Sequence, residues 1–287
     1  MRLHPPSTLL IGPAGTGKTT ACCTLLEAGL KTFMLCTEPA APNRVLEECK
    51  KRNIDSTHFQ WQFVSPAVPA WDSLLKSAEI VNALSLKDIA DMRGGIAKPD
   101  GKQWITLLKA IAEFKSDRDN KNYGDATEWE NDTAFVIDGL TGISTMSRNL
   151  TVGLKPNPSP GEWGVMQSNI LTLIQKLTAD CKAFFVCIAH VERETNELSG
   201  LSNITVSTLG AKLAPKLPPL FTNVVYAKRI HTTFLWSTAD TGVDTKSGDL
   251  PLSDSLPPTF KPIIESYRDR LKAADPLTGQ RSLNLVS

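Results

Sequence analysis

Residues 7–19 run Ser7-Thr8-Leu9-Leu10-Ile11-Gly12-Pro13-Ala14-Gly15-Thr16-Gly17-Lys18-Thr19, a short apolar stretch that opens directly into G-x-x-x-x-G-K-T. Thr20 to Ala28 then reads as a helix, with Gly29 as its stop. That strand–loop–helix setting separates a phosphate-binding loop from a chance glycine-rich turn. Glycines let successive backbone N–H groups converge on phosphate oxygens, and the helix adds the positive end of its dipole. In this pattern Gly12, Pro13, Ala14, Gly15, Thr16, Gly17, Lys18, Thr19 and Thr20 form the cradle. Lys18 reaches the β- and γ-phosphates, and the Thr19 hydroxyl ligates Mg²⁺. The stretch predicts a nucleoside triphosphate site at the end of the first strand.

Three more apolar runs end in polar residues that suit the same site. Ala134-Phe135-Val136-Ile137-Asp138 has the pattern of a buried parallel strand with a carboxylate at its tip, so Asp138 is the expected second Mg²⁺ residue. The residue after it is Gly139, so the water-activating acid must come from elsewhere. Lys31 to Thr37 reads as a strand with Glu38 at its tip, placed to act as general base. Ala183 to Ala189 ends in His190, a candidate sensor of the terminal phosphate, and follows an amphipathic helix bearing Val165, Met166, Ile170, Leu173, Ile174 and Leu177.

The bulk properties fit such a protein and exclude several classes. The 31 Lys+Arg against 30 Asp+Glu exclude a strongly polybasic binder. With 41% hydrophobic and 21% charged residues, the chain is expected to fold around a core. No apolar run has a membrane-spanning length, and the amino terminus lacks a signal-peptide pattern, so a cytoplasmic protein is expected. Six cysteines (22, 23, 36, 49, 181, 187) lie mostly in apolar runs without a CxxC and read as reduced core thiols.

GPAGTGKTT, the strand ending in Glu38, FVIDGLTGIS, and FVCIAHVERE followed by LGAKLAPKL and FTNVVYAKR together resemble the RecA/RadA-type recombinase core over about residues 7–238. More narrowly they resemble the compact phage-encoded RecA-like ATPases of the Sak single-strand annealing group. The resemblance implies an α/β RecA-type P-loop NTPase fold: a mostly parallel central sheet flanked by helices, with an edge β-hairpin. It also implies ATP and Mg²⁺, DNA-stimulated hydrolysis, and a homo-oligomer with ATP at subunit interfaces acting on single-stranded DNA in the host cytoplasm. A single-strand binding protein is a further partner it suggests. Glu38 matches the water-activating Glu, His190 the strand-end switch, and Lys228 and Arg229 the basic pair that reaches a neighbouring subunit's γ-phosphate. The larger recombinases carry an amino-terminal docking segment, whereas here the first strand starts by residue 7, so an oligomer would use another contact.

Two stretches are expected to be loops facing DNA. The first, 148–164, holds Arg148, Lys155 and Trp163, and the second, 192–216, holds Arg193, Lys212 and Lys216. Cations that track phosphates and aromatics that stack on bases are what a single strand requires. Asn223 to Ala227 and Thr232 to Trp236 predict the edge hairpin. The core is expected to span 1–238, with a helical and loop insertion over about 66–132. That insertion has helices at Trp71 to Ala90 and Gln103 to Phe114, the second with Trp104, Leu107, Leu108 and Ile111 on one face. Seven acids against three basic residues over 113–132 predict an exposed linker. Residues 239–287 are expected to form a loop, one closing helix and a tail beside the core. The alternative reading is a nucleotide-gated assembly protein that does not touch DNA. A small-molecule phosphotransferase is disfavoured by the scarcity of Arg in the loops.

Overall fold

A computed structural model describes residues 3–66, 70–85, 87–88, 101–153, 155, 157–195 and 202–274. Nine strands form within them: β1 (Ser7–Ile11), β2 (Lys31–Cys36), β3 (Phe59–Phe63), β4 (Thr133–Asp138), β5 (Phe184–Ala189), β6 (Val191–Thr195), β7 (Ser202–Val206), β8 (Asn223–Ile230) and β9 (Thr233–Ser237). Seven make one twisted sheet in the order β3-β2-β4-β5-β1-β8-β9. All neighbours in it are parallel except the last pair, the β8–β9 hairpin. The fold is α/β. β6 and β7 form a separate antiparallel hairpin.

Helices cover both faces, which is why β1, β4 and β5 are buried along their whole length and read as unbroken apolar runs. One face carries α1 (Lys18–Ala21), α2 (Cys23–Glu27), α3 (Ala41–Arg52) and α8 (Lys261–Ala274). The other carries α5 (Lys102–Ala112), α6 (Leu140–Thr151) and α7 (Pro160–Asp180). Phe260, Ile263, Ile264 and Tyr267 of the carboxyl-terminal segment are buried on the first face. There the Trp236 and Phe260 rings lie 4.8 Å apart, and the Tyr267 hydroxyl donates to the Leu3 carbonyl at 2.9 Å. Residues 275–287 lie outside the described residues.

Register aligns the strand tips. Ile11 pairs with Ala189, Ile188 with Asp138, and Asp138 with Cys36. Gly12, His190, Asp138 and Glu38 therefore leave the sheet along one edge, where crevices form in open parallel sheets.

Several sequence expectations are corrected in detail. Residues 113–132 are not an exposed linker: Phe114, Ser116 and Ala126 are fully buried, and the segment runs along the β3 edge. Asp117 N–H donates to the Trp61 carbonyl, and the Asp117 carboxylate accepts from Phe63 N–H. The acids face outward while the aromatics between them point in, so a charge count conceals the packing. Leu108 and Val165 are exposed and not part of the buried stripes on their helices. α4 (Trp71–Ala83) buries no residue, and Trp71 is 81% exposed. The expected extension of that helix to residue 90 falls partly outside the described residues. Among the described residues no helix is long and apolar enough to cross a membrane, and all six cysteines are free and buried.

Candidate functional site

Residues 14–20, Glu38, Arg44, Asp138, Gly139, Ile188 to His190 and Phe234 line one cleft of about 420 Å³ at the carboxyl edge of the sheet. Gly15 and Gly17 take φ of 73° and 77°, a left-handed backbone that costs other residues about 1 kcal/mol or more. With those two turns the loop closes directly into α1, and the amides of Lys18, Thr19 and Thr20, at the start of the helix, have no carbonyl one turn back to bond. The right-handed path continues through Cys22 into α2.

The ionisable groups here are desolvated and held close. Lys18 is 6% exposed, and its ammonium donates to the Gly12 and Pro13 carbonyls, each at 2.7 Å. Burial lowers its pKa to about 8, against the opposing pull of Asp138 and Glu38. Asp138 is pushed up to about 6 by burial; Thr19 Oγ1, donating at 2.7 Å, works against that rise and the Glu38 charge adds to it. Burial also holds His190 below the ordinary imidazole value, followed by the effect of the Lys18 charge, although the Glu38 charge and then the nearby Gly12 backbone oppose both. Glu38 stands at the mouth, half exposed, with the Arg44 guanidinium 3.6 Å away.

A Glu at position 139 would not fit. Gly139 has φ 122°, and a Cβ there would collide with Thr37 Oγ1, as would one at Gly142. The second carboxylate of the cleft, Glu38, comes from the tip of the neighbouring strand, and the residue after Asp138 is pressed against Thr37 beyond β2.

The structure thus brings together the glycine loop, Lys18, Thr19, Asp138, Glu38 and His190. It splits the basic pair. Lys228 forms an ion pair with Asp240 at 2.7 Å, whereas Arg229 is exposed beside Gly15. Two residues of the cleft went unseen in the sequence. Arg44 follows Glu38 by one short turn and the first residues of α3, a spacing that could have marked it. Phe234 reaches the cleft only through the register of the β8–β9 hairpin, which no linear pattern encodes.

Of the two stretches expected to be loops, 154, 156 and 196–201 lie outside the described residues, and much of the rest is helix or strand. Arg148 lies in α6 and Trp163 in α7, whose start is fixed by a capping box between Ser159 and Glu162. Between the two helices, Lys155 is bound to Glu162 at 2.7 Å with 15% of its side chain exposed. Arg193 is exposed on β6, while Lys212 and Lys216 are exposed beyond β7. The two stretches lie side by side: Gln167 Nε2 donates to the Leu209 carbonyl at 3.0 Å, and the Trp163 ring packs on Gly210.

No known protein family matches the sequence, and no curated protein is significantly similar to it.

Among the described residues there is no cluster of three or more His, Cys, Asp or Glu side chains that could hold a metal. The Thr19 hydroxyl and the Asp138 carboxylate are the oxygen pair in the cleft that suits a hard cation such as Mg²⁺, which usually keeps waters and substrate oxygens as its other ligands.

Proposed function

We propose that this chain is an ATP-binding, Mg²⁺-dependent ATPase of the RecA-like P-loop class, acting on single-stranded DNA in phage-type recombination or strand annealing. The observation that carries the nucleotide part is the convergence of Lys18, Asp138 and Glu38 from three strand tips on one glycine-loop cleft. The cleft matches a triphosphate in its donors: loop amides, the start of a helix and a buried ammonium. At Gly17, Thr20 and Phe234 it adjoins a second cavity of about 130 Å³, lined also by Ala21, Cys23, Glu48, Arg52 and Pro258, which is the side on which the nucleoside end would lie.

On this reading Lys18 exchanges its loop carbonyls for phosphate oxygens. Thr19 and Asp138 would hold Mg²⁺, which when bound would neutralise charge on the phosphates. Glu38 takes a proton from water as the water oxygen bonds to the γ-phosphorus. The bond from that phosphorus to the β–γ bridging oxygen breaks, and ADP leaves with the electron pair. His190 lines the cleft beside the glycine loop and leads directly into the β6–β7 hairpin, whose base is closed by Ser207 N–H donating to the His190 carbonyl at 2.9 Å. A change at the phosphates therefore has a short route to the surface that carries Arg193, Lys212 and Trp163.

Single-stranded DNA as partner is supported by the family resemblance and by the adjacency of those two stretches. Two observations favour the second reading, a nucleotide-gated assembly protein: Lys155 is already neutralised by Glu162, and the apolar side chains of α4 are exposed. ATPase rates with and without single-stranded DNA, at several salt concentrations, separate them. DNA stimulation, with log affinity falling about 0.7 per phosphate contact per log salt, is expected for the first. A flat response with intact hydrolysis would leave the assembly reading.

A further inference from the structure

We infer that the cation serving the terminal phosphate is Arg229 of the same chain, held over its own glycine loop by the β8–β9 hairpin, and not an arginine lent by a neighbouring copy. This rests on the nucleotide reading above and departs from the trans arrangement that the family resemblance implies. In the hairpin, Arg229 lies opposite Phe234 and Ala227 opposite Trp236. Residues two apart on a strand, and their cross-strand partners, share a face. Ala227 and Trp236 are fully buried on that face, which anchors the hairpin, so Arg229 and Phe234 overhang the site from the next rung.

All three motif glycines touch this hairpin. A Cβ at Gly12 would collide with the Ala227 carbonyl oxygen. At Gly17 it would meet the Phe234 ring at 3.3 Å, and at Gly15 it would lie 3.9 Å from Arg229 Nη1. Lys228 is on the opposite face, opposite Leu235, where Asp240 binds it. Strand alternation thus removes Lys228 from the site and leaves Arg229, which among the described residues has no ion-pair partner, within a side chain's sweep of the loop. During hydrolysis its guanidinium stabilises the charge developing on the equatorial oxygens of the transferring phosphoryl group and takes no part in the bond changes.

Mixing two inactive variants decides between the arrangements. Arg229→Ala is expected to keep nucleotide binding, measured with a fluorescent ATP analogue, and the wild-type melting temperature, while kcat falls about 10³-fold or more. Lys18→Ala keeps its arginine but loses its own site. A mixture of the two, with Lys18→Ala in excess and single-stranded DNA present or absent, is expected to hydrolyse ATP no faster than the sum of its parts. Recovery of turnover on mixing would show the arginine acting between copies and would overturn the cis assignment. So would an Arg229→Ala protein whose kcat stays within twofold of wild type. If the wild-type chain does not hydrolyse Mg²⁺-ATP at all, the nucleotide reading itself fails, a result distinct from either.

Discussion

The two ends of the parallel sheet each carry a cavity, and the larger one lacks the reactive groups. At the amino end, about 530 Å³ opens between Lys31, His58, Tyr123, Trp129 and Asp132. Charges lining it are paired: Lys31 with Asp132 at 2.8 Å, and Glu128 with Lys182. Its aromatic wall is packing, since Trp129 lies 4.3 Å from the Phe33 ring centroid and 5.4 Å from that of Phe114. At the carboxyl end the smaller cleft collects a buried ammonium and a buried carboxylate, with pKa values of about 8 and about 6. Cavity size reports where packing stops; displaced pKa values with convergent donors report where chemistry is prepared. The asymmetry follows from parallel strands, because the loops that leave their carboxyl ends run into the amino termini of α1 and α3.

Substitutions at the two ends should behave oppositely. The largest expected effect on turnover is from Lys18→Ala: ATP hydrolysis is lost while the thermal transition stays intact, read by phosphate release and calorimetry. A denatured Lys18→Ala protein would make the lysine structural. Next, Glu38→Gln should keep nucleotide binding and lower the hydrolysis rate about 10²- to 10⁴-fold, the range for a general base. Normal turnover in that variant would remove Glu38 from the chemistry. At the amino end, Trp129→Ala should cost about 3 kcal/mol in denaturant unfolding, by cavity formation and loss of ring contacts. ATP affinity per folded molecule should stay unchanged, and a selective loss of binding would blur the contrast between the two ends.

Asp138→Asn sharpens the comparison differently. The carboxyl's folded-state pKa, about 6, lies above its ordinary value, so the native state binds that proton more tightly than the unfolded chain. Stability should therefore fall as pH rises from about 4 to about 6. Removing the charge should stabilise the ligand-free protein at neutral pH by up to about 3 kcal/mol, while Mg²⁺-dependent hydrolysis is lost. A melting temperature below wild type would contradict the desolvation account. The smallest effect is expected from Arg44→Ala. Its pair with Glu38 is half exposed, so stability should change by less than about 1 kcal/mol. Any loss should be in kcat, through a less restrained Glu38.

The fold class and four strand tips were legible in the chain because both depend on local periodicity. A strand buried on both faces must be an unbroken apolar run, and a tight turn with left-handed backbone needs its glycines at fixed positions. The same rule misread the surroundings. Trp163 sits on a helix because the capping box at Ser159 starts α7 earlier than the proline and glycine content suggests, and Arg148 sits on one because α6 runs on to Thr151. Residues 113–132 looked solvated because acids outnumber the apolar residues between them, although Phe114 is fully buried.

Residue order alone is enough to specify the glycine loop, the strand ends at Glu38, Asp138 and His190, and an antiparallel pair near residue 228, since each is written in residues a few positions apart. It does not distinguish Lys228 from Arg229, place Phe234 on Gly17, or explain why a glycine follows Asp138. Those outcomes depend on which face of β8 meets the core and on how closely Thr37 approaches position 139, and such contacts exist only after distant segments have packed.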